Sequence, residues 1–427
     1  MLHKYLFAFI LSGCMLSGLF AEAQQTTTVF SDSVRVQKDL FEIIREAMKK
    51  PPVDKQNKKG SLLLIPIVAS NPATGFMVGA GGQYAWKLKA SDRYSTFNLS
   101  AQLTTKGQKM IFLKNNIYTA GNRLFLSGDW RYLIFSQPTY GLGTNAPDGG
   151  ILDYQFGLSG IETTIDSLAQ PMQFDHAKFH QTISFEIKEN IYAGIGYNFD
   201  SYSNIVDEKL RLMPGDSLIT SHFAYNSFYE FSTKRYYSSA VNLSVSYDSR
   251  DNIINPYKGY YALISWRGGL KMLGNKENTS FYQLEYRSYH AVSVKNPRHL
   301  VALWAMGNFS PAGELPYMLL PATAYDQRGR SGRGYVQGRY RGNNLVYAES
   351  EYRFPISRNG ILGGVVFLNM ITTDNPVIQL QLFDAVKPGY GFGLRVMADK
   401  YSRTNVALDF GFGNRSGGFY LNVSETF

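Results

Sequence analysis

The chain has 427 residues, a formal net charge of +10, 18% charged and 15% aromatic residues, and a single cysteine, Cys14. That length allows one large domain or two or three ordinary ones. Once Cys14 is removed with a leader, no disulfide, thiolate metal site or cysteine nucleophile is possible.

The leader comes first. Met1 to Lys4 carries positive charge, Tyr5 to Phe20 is mostly apolar, and Ala21-Glu22-Ala23 offers a small-x-small cleavage site before Gln24. Residues 1–23 are therefore expected to be an export signal. Leu11-Ser12-Gly13-Cys14 has the form of a lipobox, but the apolar run continues through Met15 to Phe20, where a lipoprotein turns polar.

Residues 24–60 read as a short periplasmic helix and linker. Ser31 to Lys50 has an apolar stripe of Leu40, Phe41, Ile43, Ile44, Ala47 and Met48, and Pro51-Pro52 stops it. A surface helix packed on the rest of the chain is one reading; a plug or mouth-closing helix is the other.

From Ser61 to Phe427 the pattern changes to segments of about ten residues with period-2 alternation. Phe97, Leu99, Ala101 and Leu103 share one face; so do Val241, Leu243, Val245 and Tyr247, then Tyr390, Phe392, Leu394 and Val396, then Val406, Leu408, Phe410 and Phe412. The last segment puts Phe419, Leu421, Val423 and Phe427 together. A β-sandwich also alternates, but three features favour a membrane barrel. The lengths suit tilted strands crossing a bilayer. Tyr84 and Trp86, Trp130 and Tyr132, and Tyr260 and Tyr261 lie at segment ends like interfacial girdles. The opposite faces carry Gly, Ser, Asn, Asp, Arg and Glu, suited to a wet lumen. Because an open edge is not viable in lipid, the sheet is expected to close. Residues 61–427 are thus predicted to be a sixteen-stranded antiparallel transmembrane β-barrel in the outer membrane, with Ser201 to Lys234 and Ser310 to Asn344 as long loops.

The second loop contains Ser331-Gly332-Arg333-Gly334-Tyr335, with Arg328, Arg330, Arg339 and Arg341 around it. A solvated basic loop is the plain reading. Nucleic acid is not expected as a partner behind an export signal and between barrel strands. The third reading folds the loop into the lumen, where glycines permit close backbone approach and arginines meet wall carboxylates. In Leu345 to Pro355 one face holds Tyr347, Glu349, Glu351 and Arg353, the expected lumenal side.

Arg333-Gly334-Tyr335 resembles the Arg-Gly-aromatic motif at the tip of the inward loop in the BamA/TamA-like bacterial surface antigen superfamily. Asn71-Pro72-Ala73-Thr74-Gly75 resembles its first hairpin turn, and Asp248-Ser249-Arg250-Asp251 with Pro256 and Gly259 resembles its D-x-R-D…P-x-x-G segment. Asn343 to Ile356 is similar to the strand after the loop, and Asn405 to Phe427 to the closing hairpin. The resemblance implies a barrel that inserts or translocates proteins, with lipopolysaccharide and phospholipid around it and other assembly proteins as partners. It implies that Arg333 contacts Glu351, or Glu349, and that Asn369 stands where the family usually has Asp, which would weaken the lock. It implies that Phe427 is a terminal aromatic read by assembly machinery. The 37 residues from Gln24 to Gly60 are too few for one POTRA module, so such an arm is expected from a partner.

Pro66 in the predicted first strand, and Gly417-Gly418 at the start of the last, suggest a weak seam; Pro66 just outside the paired span is the alternative. In the resembling family that seam is a lateral gate. A passive channel or structural subunit of a larger complex is the alternative function. No catalytic motif is present, so no enzyme, cofactor or metal is expected. His176 and His180 would lie roughly 13 Å apart along a strand at about 3.3 Å per residue, too far to share one ion.

Overall fold

The computed structural model describes residues 37–50, 60–71, 75–89, 92–145, 150–152, 161–163, 169–214, 216–376 and 379–427. The expected leader, its lipobox, most of the linker and the middle of the Asn71–Gly75 turn lie outside the described residues.

Sixteen strands form one sheet in chain order, each antiparallel to the next. They are β1 (Gly60–Asn71), β2 (Gly75–Trp86), β3 (Ser95–Thr104), β4 (Lys109–Tyr118), β5 (Leu124–Thr139), β6 (Gln170–Lys188), β7 (Ile191–Asp207) and β8 (Tyr236–Asp248). The second half comprises β9 (Gly259–Gly269), β10 (Thr279–Ala291), β11 (Leu300–Ala312), β12 (Asn344–Pro355), β13 (Leu362–Thr373), β14 (Lys387–Asp399), β15 (Thr404–Gly413) and β16 (Ser416–Val423). The result is a transmembrane β-barrel. Period-2 alternation builds its wall: Leu99, Leu243, Val245, Tyr390, Phe392 and Leu421 face outward and are exposed, while Glu349, Glu351, Arg395 and Asp409 face inward and are buried. An outward apolar band is what lipid requires, and a wet lumen accepts the charges.

Two alternating faces depart from expectation. Tyr261 faces the lumen, not the bilayer interface, and lies under the Arg250 and Arg287 guanidinium groups at 4.7 and 5.1 Å. Phe427 does not share the lipid face of Phe419 and Leu421. The strand ends at Val423, Ser424 takes φ +72°, and the period breaks there, leaving Phe427 buried.

Three strands run far past the ten-residue expectation, where the others have 8–13 residues. β5, β6 and β7 have 16, 19 and 17 residues, so this part of the wall projects past the rim opposite the chain ends. The projection is capped. Between β7 and β8 a short ribbon (Arg211–Met213 with Asp216–Leu218) precedes helix α2, Ser221–Phe228, counting the N-terminal helix as α1. Tyr225 of α2 packs with Leu315, Tyr317, Met318 and Leu320 of the β11–β12 loop onto Met172, Phe174, Tyr202 and Ile205. The two predicted long loops are thus shorter than expected, since Ser201–Asp207 and Ser310–Ala312 belong to strands.

The opposite rim, which carries the start of β1 and the end of β16, is also crossed. The β8–β9 turn buries Ile254 and Tyr257, and Asn252 donates to the Ser402 carbonyl at 3.2 Å. Arg250 grips Asp248 through Nε and Nη2 at 2.9 and 2.8 Å, and Asp251 pairs with Arg403 at 2.7 Å, so the charged turn motif acts as a brace.

α1 spans Leu40–Ala47, shorter than the Ser31–Lys50 expectation. Asp39 caps it and Glu42 reaches back to the Asp39 backbone, so a capping box fixes the start there. Lys49 at φ +54° ends it, and residues 31–36 lie outside the described part. α1 sits on rim turns: Lys38 N donates to Asn359 O at 2.8 Å, and Lys400 Nζ reaches Gln37 O and Glu42 at 2.7 and 2.8 Å. None of its residues is fully buried, as for a surface helix.

Candidate functional site

The β11–β12 loop folds into the lumen. Ser331, Arg333, Tyr335, Arg339, Tyr340 and Arg341 are all at most 4% exposed. Asp326 sets the local turn by accepting from the backbone N–H groups of Arg328, Arg330 and Ser331 at 2.8–2.9 Å. Gly332, Gly334 and Gly338 have φ of +77°, +104° and +76°, which only glycine adopts freely.

At the tip, Arg333 meets three carboxylates. Its Nη2 and Nε donate to Glu349 at 2.7 and 3.3 Å, its Nη1 to Asp409 at 2.9 Å, and Nη2 also to Glu351. The guanidinium lies over the Phe367 ring at 3.5 Å. Glu349 and Glu351 are thus brought to Arg333, whereas Asn369 serves otherwise: its Nδ2 donates to the Arg333 carbonyl at 3.0 Å. The third carboxylate comes from Asp409 of β15, which alternation puts on the polar face of that strand without linking it to the loop. Asp409 thus supplies a carboxylate to Arg333 where Asn369 supplies none.

The network continues along the wall. Arg353 pairs with Glu351 at 2.7 Å, and Arg395 bridges Asp409 at 2.6 Å and Glu425 at 2.7 Å. Four carboxylates thus alternate with three guanidinium groups, and Arg330 adds a fourth cation nearby. Such pairs are strong only when each charge keeps its partners. In this arrangement, Asn369→Asp is expected to destabilise, although the resemblance makes Asp the usual residue. A carboxylate there would lose the donor to Arg333 O and face Glu349, which Asn369 Nδ2 approaches at 3.5 Å. The expected cost is about 1–3 kcal/mol, read as lower heat resistance of the folded band on gels; equal or greater resistance would refute it.

The remaining predicted residues fall in two places. Gly334 donates its N–H to Tyr420 OH at 2.9 Å, and Asn414 N–H donates to the Tyr335 hydroxyl at 3.1 Å, so the tip touches the last hairpin. Pro66 lies within β1, opposite Ala80 of β2, and Gly417 and Gly418 lie within β16, opposite Phe412 and Gly411 of β15. Among the described residues no ladder pair joins β1 to β16. The wall's edges are tied by side chains instead: Ser424 Oγ donates to Gln83 Oε1 at 2.9 Å, and Gln83 Nε2 donates to Thr404 Oγ1 at 3.0 Å. Phe427 is buried 5.4 Å from Trp304, with its main-chain oxygen 3.2 Å from Arg353.

His176 and His180 both face the lumen and converge on one carboxylate, Asp200, at 3.1 and 2.5 Å. The carboxylate bridges the two rings, and no metal-holding cluster occurs among the described residues. Beside them is a lumenal cavity of about 330 Å³ lined also by Arg131, Lys178 and Arg267.

The Omp85 superfamily domain matches residues 169–427, more than half of the chain, from the start of β6 through the inward loop to Phe427. The chain belongs to the Omp85 superfamily. It is an outer-membrane β-barrel. Comparison with curated proteins finds no match. Among solved structures it is similar to BamA from Haemophilus ducreyi lacking POTRA domains 1-3, at 16% identity, TM-score 0.49, covering 86% of this chain and 70% of that one. It is also similar to CdiB from Acinetobacter baumannii, at 13% identity, TM-score 0.48, covering 86% of this chain and 60% of that one. Membership of the Omp85 superfamily supports a role in assembly or secretion at the outer membrane.

Proposed function

We propose that this Omp85 barrel takes part in assembling or translocating outer-membrane proteins, and that the β1/β16 seam is where a client strand enters. The observation that carries the reading is the unpaired seam. Unpaired N–H and C=O groups at a sheet edge are costly in hydrocarbon, so an edge held by side chains on one rim is poised to accept another strand. Pro66 removes one donor from β1, and β16 has 8 residues against 12 in β1. The Arg333 lock braces the wall behind the seam. We further propose residues 24–60 as a periplasmic element and a POTRA-bearing protein as the partner that delivers the client.

The test is affinity purification of the tagged protein from its own outer membrane in mild detergent. A POTRA-bearing barrel or assembly lipoproteins should co-purify in near-equal amount. A barrel that purifies alone, and in liposomes does not speed client folding, would refute the reading.

A passive channel is disfavoured by loops at both rims and the inward loop between them. Steady conductance in planar bilayers would reverse that judgement.

A further inference from the structure

Ser424–Phe427 leaves the wall and enters the lumen, where Glu425, Thr426 and Phe427 are 1–2% exposed. Two sets of side chains hold it. From the wall, Arg395 Nε donates to Glu425 Oε2 at 2.7 Å and Asn405 Nδ2 to Oε1 at 2.6 Å, with Arg353 on the Phe427 oxygen. From the inward loop, Arg330 Nη2 donates to Val423 O at 3.0 Å and Arg330 Nη1 to Glu425 O. Arg328 Nη1 lies 3.5 Å from the carbonyls of Glu425 and Thr426. Burial, with repulsion from Arg287, pulls the Arg328 guanidinium down to about 9. Among the described residues neither loop arginine forms an ion pair; both spend their side-chain donors on the carbonyls of this segment. Ser424, its first residue, also makes the bond to Gln83 across the seam.

We propose that Ser424–Phe427 is a latch that ties β16 to the inward loop. Seated, it holds the last strand's end against Gln83 and keeps the seam narrow. Released, it leaves β16 attached only to β15, free to swing from β2. The loop thereby acts on the seam through Arg328 and Arg330, a coupling separate from the Arg333 lock. The latch presupposes the seam proposed for client entry but concerns what controls it.

The test uses nitroxide pairs on the full chain, in a Cys14→Ser background, read by pulsed dipolar spectroscopy in lipid. One pair, at Leu99 of β3 and Leu394 of β14, spans the seam; another, at Leu243 of β8 and Leu368 of β13, spans continuous wall. All four side chains are 46–58% exposed to lipid. Each pair is five strands apart, roughly 24 Å at one strand spacing per step. Glu425→Gln weakens the latch from the wall side by removing its charge from Arg395; Arg328→Gln with Arg330→Gln weakens it from the loop side and leaves the ion pairs of the wall intact. In both variants the seam pair should lengthen by about 5 Å or broaden by one strand spacing, while the wall pair stays put. An unmoved seam pair in either folded variant overturns the latch. Loss of the folded band in both makes the segment a folding requirement and overturns it too. A seam that widens while client insertion is unchanged keeps the latch and removes the proposed function.

Discussion

Arg333→Ala should be the most damaging single substitution in the lumen, costing about 3–5 kcal/mol and lowering the temperature at which the folded band is lost on gels. The side chain is 2% exposed and touches Glu349, Glu351 and Asp409. Removing it leaves Glu349 without a guanidinium, and leaves Glu351 and Asp409 with only Arg353 and Arg395, respectively. The desolvation already suffered by those carboxylates is then no longer offset, which is why breaking one partner costs more than the pair contributes. Arg333→Lys keeps the charge but offers a point where a planar fork is needed. It cannot serve Glu349 through two nitrogens and Asp409 through a third, so it should recover only part of the loss. Asp409→Asn, which also takes from Arg395 one of its two carboxylates, should fall nearer Arg333→Ala than Arg333→Lys does. Wild-type heat resistance in Arg333→Ala would remove the lock from the account of this barrel.

The wall was legible in the sequence because alternation needs only neighbouring residues. Phe97 to Leu103 and Val241 to Tyr247 face lipid as their spacing required, and Glu349 and Glu351 face the lumen for the same reason. The loop's inward path was legible from the combination of Gly332, Gly334 and the arginines with carboxylates one strand later. What escaped depends on closure. Asp409 is 76 residues from Arg333, and its place on a polar face was evident, but which lumenal group it faces follows only when β15 returns beside the loop. Asn369 misled for the opposite reason: attention to its lost charge concealed the donor it supplies to the Arg333 carbonyl. Phe427 was assigned by extending the period past Val423, where a single positive φ at Ser424 ended it. His176 and His180 were set apart by backbone rise alone, which leaves out the reach of the rings: Asp200 on the neighbouring strand accepts both.

Gly334→Ala is expected to approach the effect of Arg333→Ala, through shape instead of charge. At φ +104° an added Cβ carries backbone strain of about 1–3 kcal/mol. It would also stand 2.5 Å from the Phe412 carbonyl oxygen, a wall atom that cannot turn aside. The fit is mutual, because the wall is thinned where the tip lands: a Cβ on Gly411 would meet Gly334 N at 2.7 Å, one on Gly413 the Tyr335 ring at 2.5 Å, and one on Gly389 the Arg333 carbonyl at 2.7 Å. A methyl group at 334 therefore lifts the tip from β15 and carries the Arg333 fork out of reach of Asp409. Gly329→Ala supplies the comparison. Its φ of +66° is also positive, but the nearest atom to an added Cβ is the Ala324 oxygen at 3.7 Å, so only strain is at work. Heat resistance should fall much further for Gly334→Ala than for Gly329→Ala, and limited proteolysis should cut the loop between residues 332 and 338 only in the former. Equal losses would mean that backbone strain alone governs these glycines and that the tip's seat on β15 contributes little.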